Sequence, residues 1–348
     1  MSTSRRAFLE SFLVVSALAL TIINVIAITG GLAQPAQFLT ILFAGLIITL
    51  FPVLFLLLHV FQERKFYQVA VIGFQKSGKT TLITSLFGEA FARRLPINLT
   101  PRGSQTIERI NKSLEMLKKG KVLGPTRDQD MFAFRADTTF GRFPFRTTYR
   151  IEFGDFPGKY CEEHHDGLAA LHDTEFFKWL ADSDAIVLVI DLGRYLLNVK
   201  ARNDYVAKIT SVFRAEWQQY LDANRYREKE VKRHPVIIVF SKTDLMYRTP
   251  KRIDLKDKEM LDSDEVRSIQ RMVTHLGFSR KVPTLIEIDE TQFKSDEKII
   301  ANEFAELINY FEAEVSNTDV VFTSSFGMLK GERLGLSKLI LSVLKGAL

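Results

Sequence analysis

Apolar residues run almost unbroken through the start of this chain, then give way to short apolar runs separated by charged stretches. From Ser11 to Gln62 there is no Asp, Glu, Lys or Arg. Two apolar runs, Ser11–Ile28 and Phe38–Val60, flank a short connection that contains Gly30, Gly31, Gln34 and Pro35. As helices they would measure roughly 27 and 35 Å, against a hydrocarbon core of about 30 Å. A charge at the centre of that core costs about 2.5–3.5 kcal/mol on insertion scales, so the charge-free stretch predicts a transmembrane helical hairpin over residues 1–62. Arg5 and Arg6 precede the first span (11–28), and Arg64 and Lys65 follow the second (38–60). The positive-inside bias therefore puts both ends, and the domain from 63 to 348, on the cytoplasmic face of the membrane. A cleaved signal peptide would account for the basic start and for small residues near Ala33, but not for the second span.

Past residue 62 the pattern becomes that of a buried sheet. Phe66–Ile72, Ala185–Asp191, Pro235–Phe240 and Val320–Phe322 are short, mostly apolar runs that predict strands, and Phe145–Phe153 and Met131–Arg135 predict two more. Continuous rather than alternating apolar runs fit strands covered on both faces, as in a mostly parallel sheet. A helix is expected near Glu297–Val315 and a final amphipathic one over Gly335–Leu344. The fold class is therefore α/β, a doubly wound, mostly parallel sheet. Two charged stretches, near 89–129 and 247–292, read as insertions between strands of that sheet.

The first of these strands ends in Gly73-Phe74-Gln75-Lys76-Ser77-Gly78-Lys79-Thr80 and is followed by the helical run Thr81-Leu82-Ile83-Thr84-Ser85-Leu86-Phe87. This is G-x-x-x-x-G-K-[ST] between a strand and a helix. Gly73 and Gly78 let backbone N–H groups of the loop, Ser77 among them, wrap an anion, and the helix N-terminus at Thr80 and Thr81 faces it. Lys79 is expected on the β- and γ-phosphates and the Thr80 hydroxyl on Mg²⁺. Three further segments follow strands, at the edge where ligands of doubly wound sheets bind. They are Asp155-Phe156-Pro157-Gly158, Ser241-Lys242-Thr243-Asp244 and Thr323-Ser324-Ser325. Asp155 is suited to hold a magnesium water, and the Gly158 N–H to meet a γ-phosphate.

With these motifs in view the chain resembles the P-loop GTPases of the TRAFAC class. Phrases such as Thr100-Pro101-Arg102-Gly103 and Phe153-Gly154-Asp155-Phe156-Pro157-Gly158 are similar, more narrowly, to bacterial double-GTPase-type domains. The resemblance implies that Asp244 accepts hydrogen bonds from guanine N1 and N2. It also implies that Lys242 lies along the base and that the Ser324–Ser325 backbone meets guanine O6, so GTP and GDP are the expected ligands. Ser241 stands where Asn is commoner, which leaves open the contact that Asn makes to the phosphate loop. A switch threonine should precede the Met131–Arg135 strand: Thr126 is the candidate second Mg²⁺ ligand, and Thr106 the alternative.

Two lysines bear on hydrolysis. Lys159 follows Gly158 where many relatives carry a water-orienting glutamine, which predicts slow or partner-assisted turnover. Lys76 occupies the position of the asparagine of potassium-activated relatives. Its ammonium either supplies charge to the transition state, making Lys76 catalytic beside Lys79 and Thr126, or is a solvated lysine. The alternative to a GTPase switch is a non-hydrolysing, nucleotide-dependent scaffold at the membrane, and an ATPase comes after that. Cys161-Glu162-Glu163-His164-His165-Asp166 has no second Cys or His pair at zinc spacing.

Composition adds little, because the averages mix two unlike parts. The chain has 348 residues, 46% hydrophobic and 25% charged, with one Cys and a net charge of +6. One Cys excludes a disulfide framework and fits a reducing compartment. The basic excess, so close to the predicted membrane, points to the inner leaflet as a partner. No nucleic acid is expected, because no basic motif interleaved with aromatics is present. An unidentified protein partner or regulator is expected of a switch.

Overall fold

The computed structural model describes residues 43, 65–119, 123, 132–140, 147–156, 179–197, 202–247 and 285–346. The chain divides into two units, Met1–Arg64 and Lys65–Leu348. The predicted hairpin lies outside the described residues apart from Phe43. Among the described residues, no helix is long and apolar enough to cross a membrane.

The second unit is built on a seven-stranded sheet. In chain order its elements are β1 (Lys65–Gly73), α1 (Lys79–Phe91), β2 (Leu99–Arg102), α2 (Ser104–Lys118), β3 (Phe132–Phe140), β4 (Thr147–Asp155), β5 (Ala185–Asp191), α3 (Leu192–Leu197), α4 (Arg202–Ala223), α5 (Glu228–Val231) and β6 (Val236–Ser241). The last part holds β7 (Ile286–Glu287), α6 (Glu290–Glu303), α7 (Ala305–Glu314), β8 (Thr318–Phe322), β9 (Gly327–Leu329), β10 (Glu332–Arg333) and α8 (Leu336–Leu344). The strand order is β2-β3-β4-β1-β5-β6-β8. β4, β1, β5, β6 and β8 run parallel, while β3 is antiparallel to both β2 and β4.

Side chains of a strand alternate between faces, so the central strands feed two cores. Ala70, Ile72, Ile186, Leu188, Ile238 and Phe240 point to one side, against Phe213 and Trp217 of α4 and Phe311 of α7. Val69, Val71, Val187, Val189, Ile237 and Val239 point to the other, against Leu82, Leu86 and Phe87 of α1 and Leu339, Ile340 and Val343 of α8. Every residue of β5 and β6 is buried, which is why those segments read as continuous apolar runs.

Three expected elements differ in detail. β3 runs on to Phe140, well beyond the expected Arg135, because its outer half pairs with β4 from Asp137 to Phe140. The stretch 89–129, read as an insertion, supplies β2, whose Pro101 is tolerable on a sheet edge. The helix expected near 297–315 is two helices, α6 and α7, meeting at the fully buried Phe304. Residues 248–284 of the second expected insertion lie outside the described residues. Just after them, β7 joins β9 and β10 in a small three-stranded sheet beside the end of β8.

Candidate functional site

The loop between β1 and α1 turns tightly beneath the end of β5. A Cβ on Gly73 would sit 2.6 Å from the Val189 carbonyl oxygen, so glycine is required by a backbone atom that cannot swing away. Gly78 (φ 93) and Lys76 (φ 62) both take left-handed backbone conformations, which wrap the loop. Lys79 is 6% exposed, and its Nζ donates to the Gly73 and Phe74 carbonyls at 2.7 and 2.9 Å. These bonds give two of the donors of a buried ammonium their partners at the mouth of the loop. The Ser77 hydroxyl is buried without a hydrogen-bond partner among the described residues. The Lys76 side chain, by contrast, is exposed to solvent.

β1 and β4 are neighbours in register, with Val71 opposite Asp155, so the end of β4 comes up beside the first turn of α1. There the Thr80 hydroxyl donates to Asp155 Oδ2 at 2.8 Å, and Asp155 is fully buried. A hydroxyl that donates its proton still has lone pairs, so Thr80 and Asp155 form a pair of hard oxygen donors of the kind Mg²⁺ prefers. Thr81 lies on the same turn, half-buried.

The segment after β6 leans against the phosphate loop from the other side. Ser241 Oγ lies 2.6 Å from the Ser77 carbonyl and 3.0 Å from that of Ile190. One hydroxyl proton serves one acceptor at a time, and the shorter contact is to the loop. Serine in place of asparagine therefore still touches the loop. Lys242 (φ 60) reaches back with Nζ to the Lys76 carbonyl at 2.8 Å and to Asp191 Oδ2 at 2.6 Å. Asp191, to which no role was assigned from sequence, closes β5 and also accepts from the Gly193 N–H through Oδ1 at 2.8 Å.

Asp244 is buried, and its Oδ1 accepts from the Ser324 hydroxyl at 2.6 Å. Ser324 Oγ in turn accepts from the Phe326 and Gly327 N–H groups at 3.0 and 2.7 Å, which locks the Ser324–Ser325 loop around the carboxylate. The Ser324 N–H goes to the Leu334 carbonyl at 3.3 Å. Ser325 Oγ bonds Ser85 Oγ of α1 at 2.8 Å, and the Ser325 carbonyl accepts from Arg333. Arg333 also pairs with Glu89 of α1 at 2.7 Å. The base-side loop and the phosphate-side helix are thus joined directly.

Among the predicted site residues, Gly73, Lys76, Ser77, Gly78, Lys79, Thr80, Thr81 and Asp155 come together at one end of the sheet. Ser241, Lys242, Asp244, Ser324 and Ser325 lie beside them. Thr126, Gly158, Lys159 and the segment Cys161–Asp166 fall outside the described residues. Thr106, the alternative switch threonine, is buried in the first turn of α2, and its Oγ1 accepts from the Arg135 N–H at 3.3 Å. That hydroxyl therefore joins α2 to β3. Among the described residues, no cluster of His, Cys, Asp and Glu could by itself hold a metal ion. Sequence reasoning missed Asp191, Arg194, Arg333, Ser85 and Glu89. Asp191 carried a signal, an acid ending a wholly apolar strand, whereas the others sit on ordinary helix and hairpin positions.

A family model described as Double-GTPase 2 matches residues 68–312, more than half of the chain. No curated protein matches. Among solved structures, Roco2 RocCORdC of Methanosarcina barkeri bound to GDP is 13% identical at a TM-score of 0.28, covering 81% of this chain and 50% of that one. Sup35 complexed with GDP is 10% identical at a TM-score of 0.27, covering 76% of this chain and 38% of that one. The chain thus spans half or less of the length of these two. The family match spans the phosphate loop, Asp155 and the Ser241–Asp244 segment: the chain belongs to the double-GTPase 2 family, with the sheet of a P-loop GTPase, and is a GTP-binding protein.

Proposed function

We propose that the chain is a membrane-anchored GTP switch that hydrolyses GTP to GDP and phosphate slowly and under the control of a protein partner. The observation that carries the chemical part is the Thr80–Asp155 hydrogen bond of 2.8 Å at the mouth of the phosphate loop. It puts a hydroxyl from the first turn of α1 and a carboxylate from the end of β4 where a nucleoside triphosphate would need its cation. Thr80 and Asp155, with Thr126 as the further candidate, would hold Mg²⁺, which when bound neutralises charge on the β- and γ-phosphates. Lys79 brings a positive charge to the same phosphates. Asp244, oriented by Ser324, accepts from guanine, and Lys242 lies along the base.

Lys159 in place of a glutamine supports slow turnover, since an ammonium cannot accept a proton from attacking water. The exposed Lys76 is the residue in this loop best placed to supply charge from the protein's own side. The charge-free stretch 11–62 supports the anchor, with the GTPase domain on the cytoplasmic face and close to the inner leaflet. Lys159 also favours a second reading, a nucleotide-dependent scaffold that does not hydrolyse at all.

Single-turnover phosphate release by the full chain in lipid, with Mg²⁺ or with EDTA, separates the two readings. Slow release that needs Mg²⁺ is expected, and it should fall further in Lys76→Ala. No release in either condition, with GTP still bound, establishes the scaffold. ATP rather than GTP or GDP on the purified protein would overturn the nucleotide assignment.

A further inference from the structure

Three consecutive carbonyls of the phosphate loop are each held from outside by a different donor. Arg194 Nη2 donates to the Gln75 carbonyl at 2.7 Å, Lys242 Nζ to the Lys76 carbonyl at 2.8 Å, and Ser241 Oγ to the Ser77 carbonyl at 2.6 Å. In a trans peptide the C=O and the following N–H point in opposite directions. Each outward-held carbonyl therefore turns the next N–H, of Lys76, Ser77 and Gly78, toward the inside of the loop. The Ser77 N–H is spent within the loop on the Phe74 carbonyl at 3.1 Å. Those of Lys76 and Gly78 have no backbone partner among the described residues. Two donors aimed into a concave loop are what an anion requires.

Ser241 and Lys242 belong to the base-side motif, whereas Arg194 belongs to no motif. It lies on α3, immediately after β5, and is 119 residues from its partner in the chain. Its guanidinium also stands 5.9 Å over the ring of Phe74, the loop residue buried against Tyr205 and Phe213. The same chain turn carries Asp191, which pairs with Lys242. The β5–α3 junction thus supplies one holder of the loop, Arg194, and through Asp191 the anchor of another, Lys242. A charged donor on a peptide oxygen also polarises that peptide and strengthens its N–H as a donor.

We infer that Arg194 is a positioning residue for phosphate binding: by holding the Gln75 carbonyl outward it keeps the Lys76 N–H aimed at the β-phosphate of a bound guanine nucleotide. It acts through the loop and touches no ligand itself. The inference rests on GTP binding and adds a residue outside the recognised motifs.

The test compares full-length wild type, Arg194→Ala and Arg194→Lys for affinity to GDP and to GMP, alongside the unfolding midpoint of each protein. GMP has no β-phosphate and serves as the internal control. Arg194→Ala should weaken GDP about tenfold or more while changing GMP by no more than about twofold. Arg194→Lys, which keeps a charged donor, should recover most of the GDP affinity. Equal weakening of GDP and GMP, or a loss that merely follows a lowered midpoint, would show a structural role only and overturn the inference. So would unchanged GDP affinity in Arg194→Ala. If that variant does not fold, Arg194→Lys decides alone: near-wild-type GDP affinity supports the inference, and weakening shared by GMP overturns it. A wild type that binds neither nucleotide overturns guanine-nucleotide binding itself, and this inference with it.

Discussion

Glu216 offers a measurable test of the core that backs the site. It lies on α4 facing inward, 4% exposed, beside a cavity of about 10 Å³ lined by Ile72, Leu180, Ile186, Leu188, Phe213, Trp217 and Phe311. Its Oε2 has no hydrogen-bond partner among the described residues, and neither has Trp217 Nε1. Burial alone pushes this carboxyl from its ordinary 4.5 up to about 7. A tenfold change in proton affinity is worth about 1.4 kcal/mol, so the shift corresponds to about 3 kcal/mol. The folded state holds the proton more tightly than the unfolded chain, so its contribution is fully present below pH 4.5 and is lost as pH rises toward 7. Glu216→Gln removes the titration and keeps the shape. Denaturant unfolding of wild type and variant from pH 4.5 to 8.5, followed by tryptophan fluorescence, isolates the effect, because every other titrating group is shared. At pH 8.5 the variant should be the more stable by about 3 kcal/mol relative to the gap at pH 4.5. Two curves that stay parallel across that range would refute the assignment of a neutral acid to this core.

Other substitutions probe the site more directly. Asp244→Asn removes a charged acceptor worth about 1.5–3 kcal/mol per hydrogen bond, so GTP affinity measured by calorimetry should fall at least about tenfold. Undiminished affinity would contradict the role proposed for Asp244. Ser241→Ala deletes the contact to the Ser77 carbonyl and should weaken GDP by about fivefold, consistent with about 1 kcal/mol for a neutral hydrogen bond. Gly73→Ala drives a methyl group against the backbone of Val189. It should lower stability by about 1–3 kcal/mol, as overpacking does, and abolish nucleotide binding at ordinary concentrations. Normal GDP binding by that variant would mean that the loop tolerates what its geometry forbids.

The central sheet was legible because each strand carries its own signal: a wholly apolar run such as Val236–Phe240 is buried on both faces and can be little else. The phosphate loop was legible for a similar reason, since its glycines and Lys79 are set by local backbone geometry. β2 was not, because one apolar residue and a proline among four give no periodicity, and the strand exists through its pairing with β3. The break at Phe304 was hidden too, since an aromatic residue inside an apolar pattern reads as helix. Arg194, Arg333 and Glu89 belong to a different category. Their partners lie far along the chain, 119 residues for Arg194 and 244 for Arg333 with Glu89, and nothing local marks a surface-type arginine as a tether. Ser241 shows the intermediate case: the motif position was readable, but only the geometry shows a serine reaching the loop.

The links from Ser325 and Arg333 to α1 make that helix a ruler. Its first turn carries Lys79 and Thr80, and Ser85 and Glu89 further along grip the loop that borders Asp244. A helix advances 1.5 Å per residue, so Thr80 and Ser85 are held about 7.5 Å apart along the axis. A rigid rod of that kind fixes the span between whatever occupies the phosphate end and whatever occupies the base end. In the proposed reading, discrimination then extends beyond the edge of the base to the length of the ligand. A guanine joined to its phosphates by a longer spacer should fill either end but not both, even though each end alone would still recognise its own chemical group.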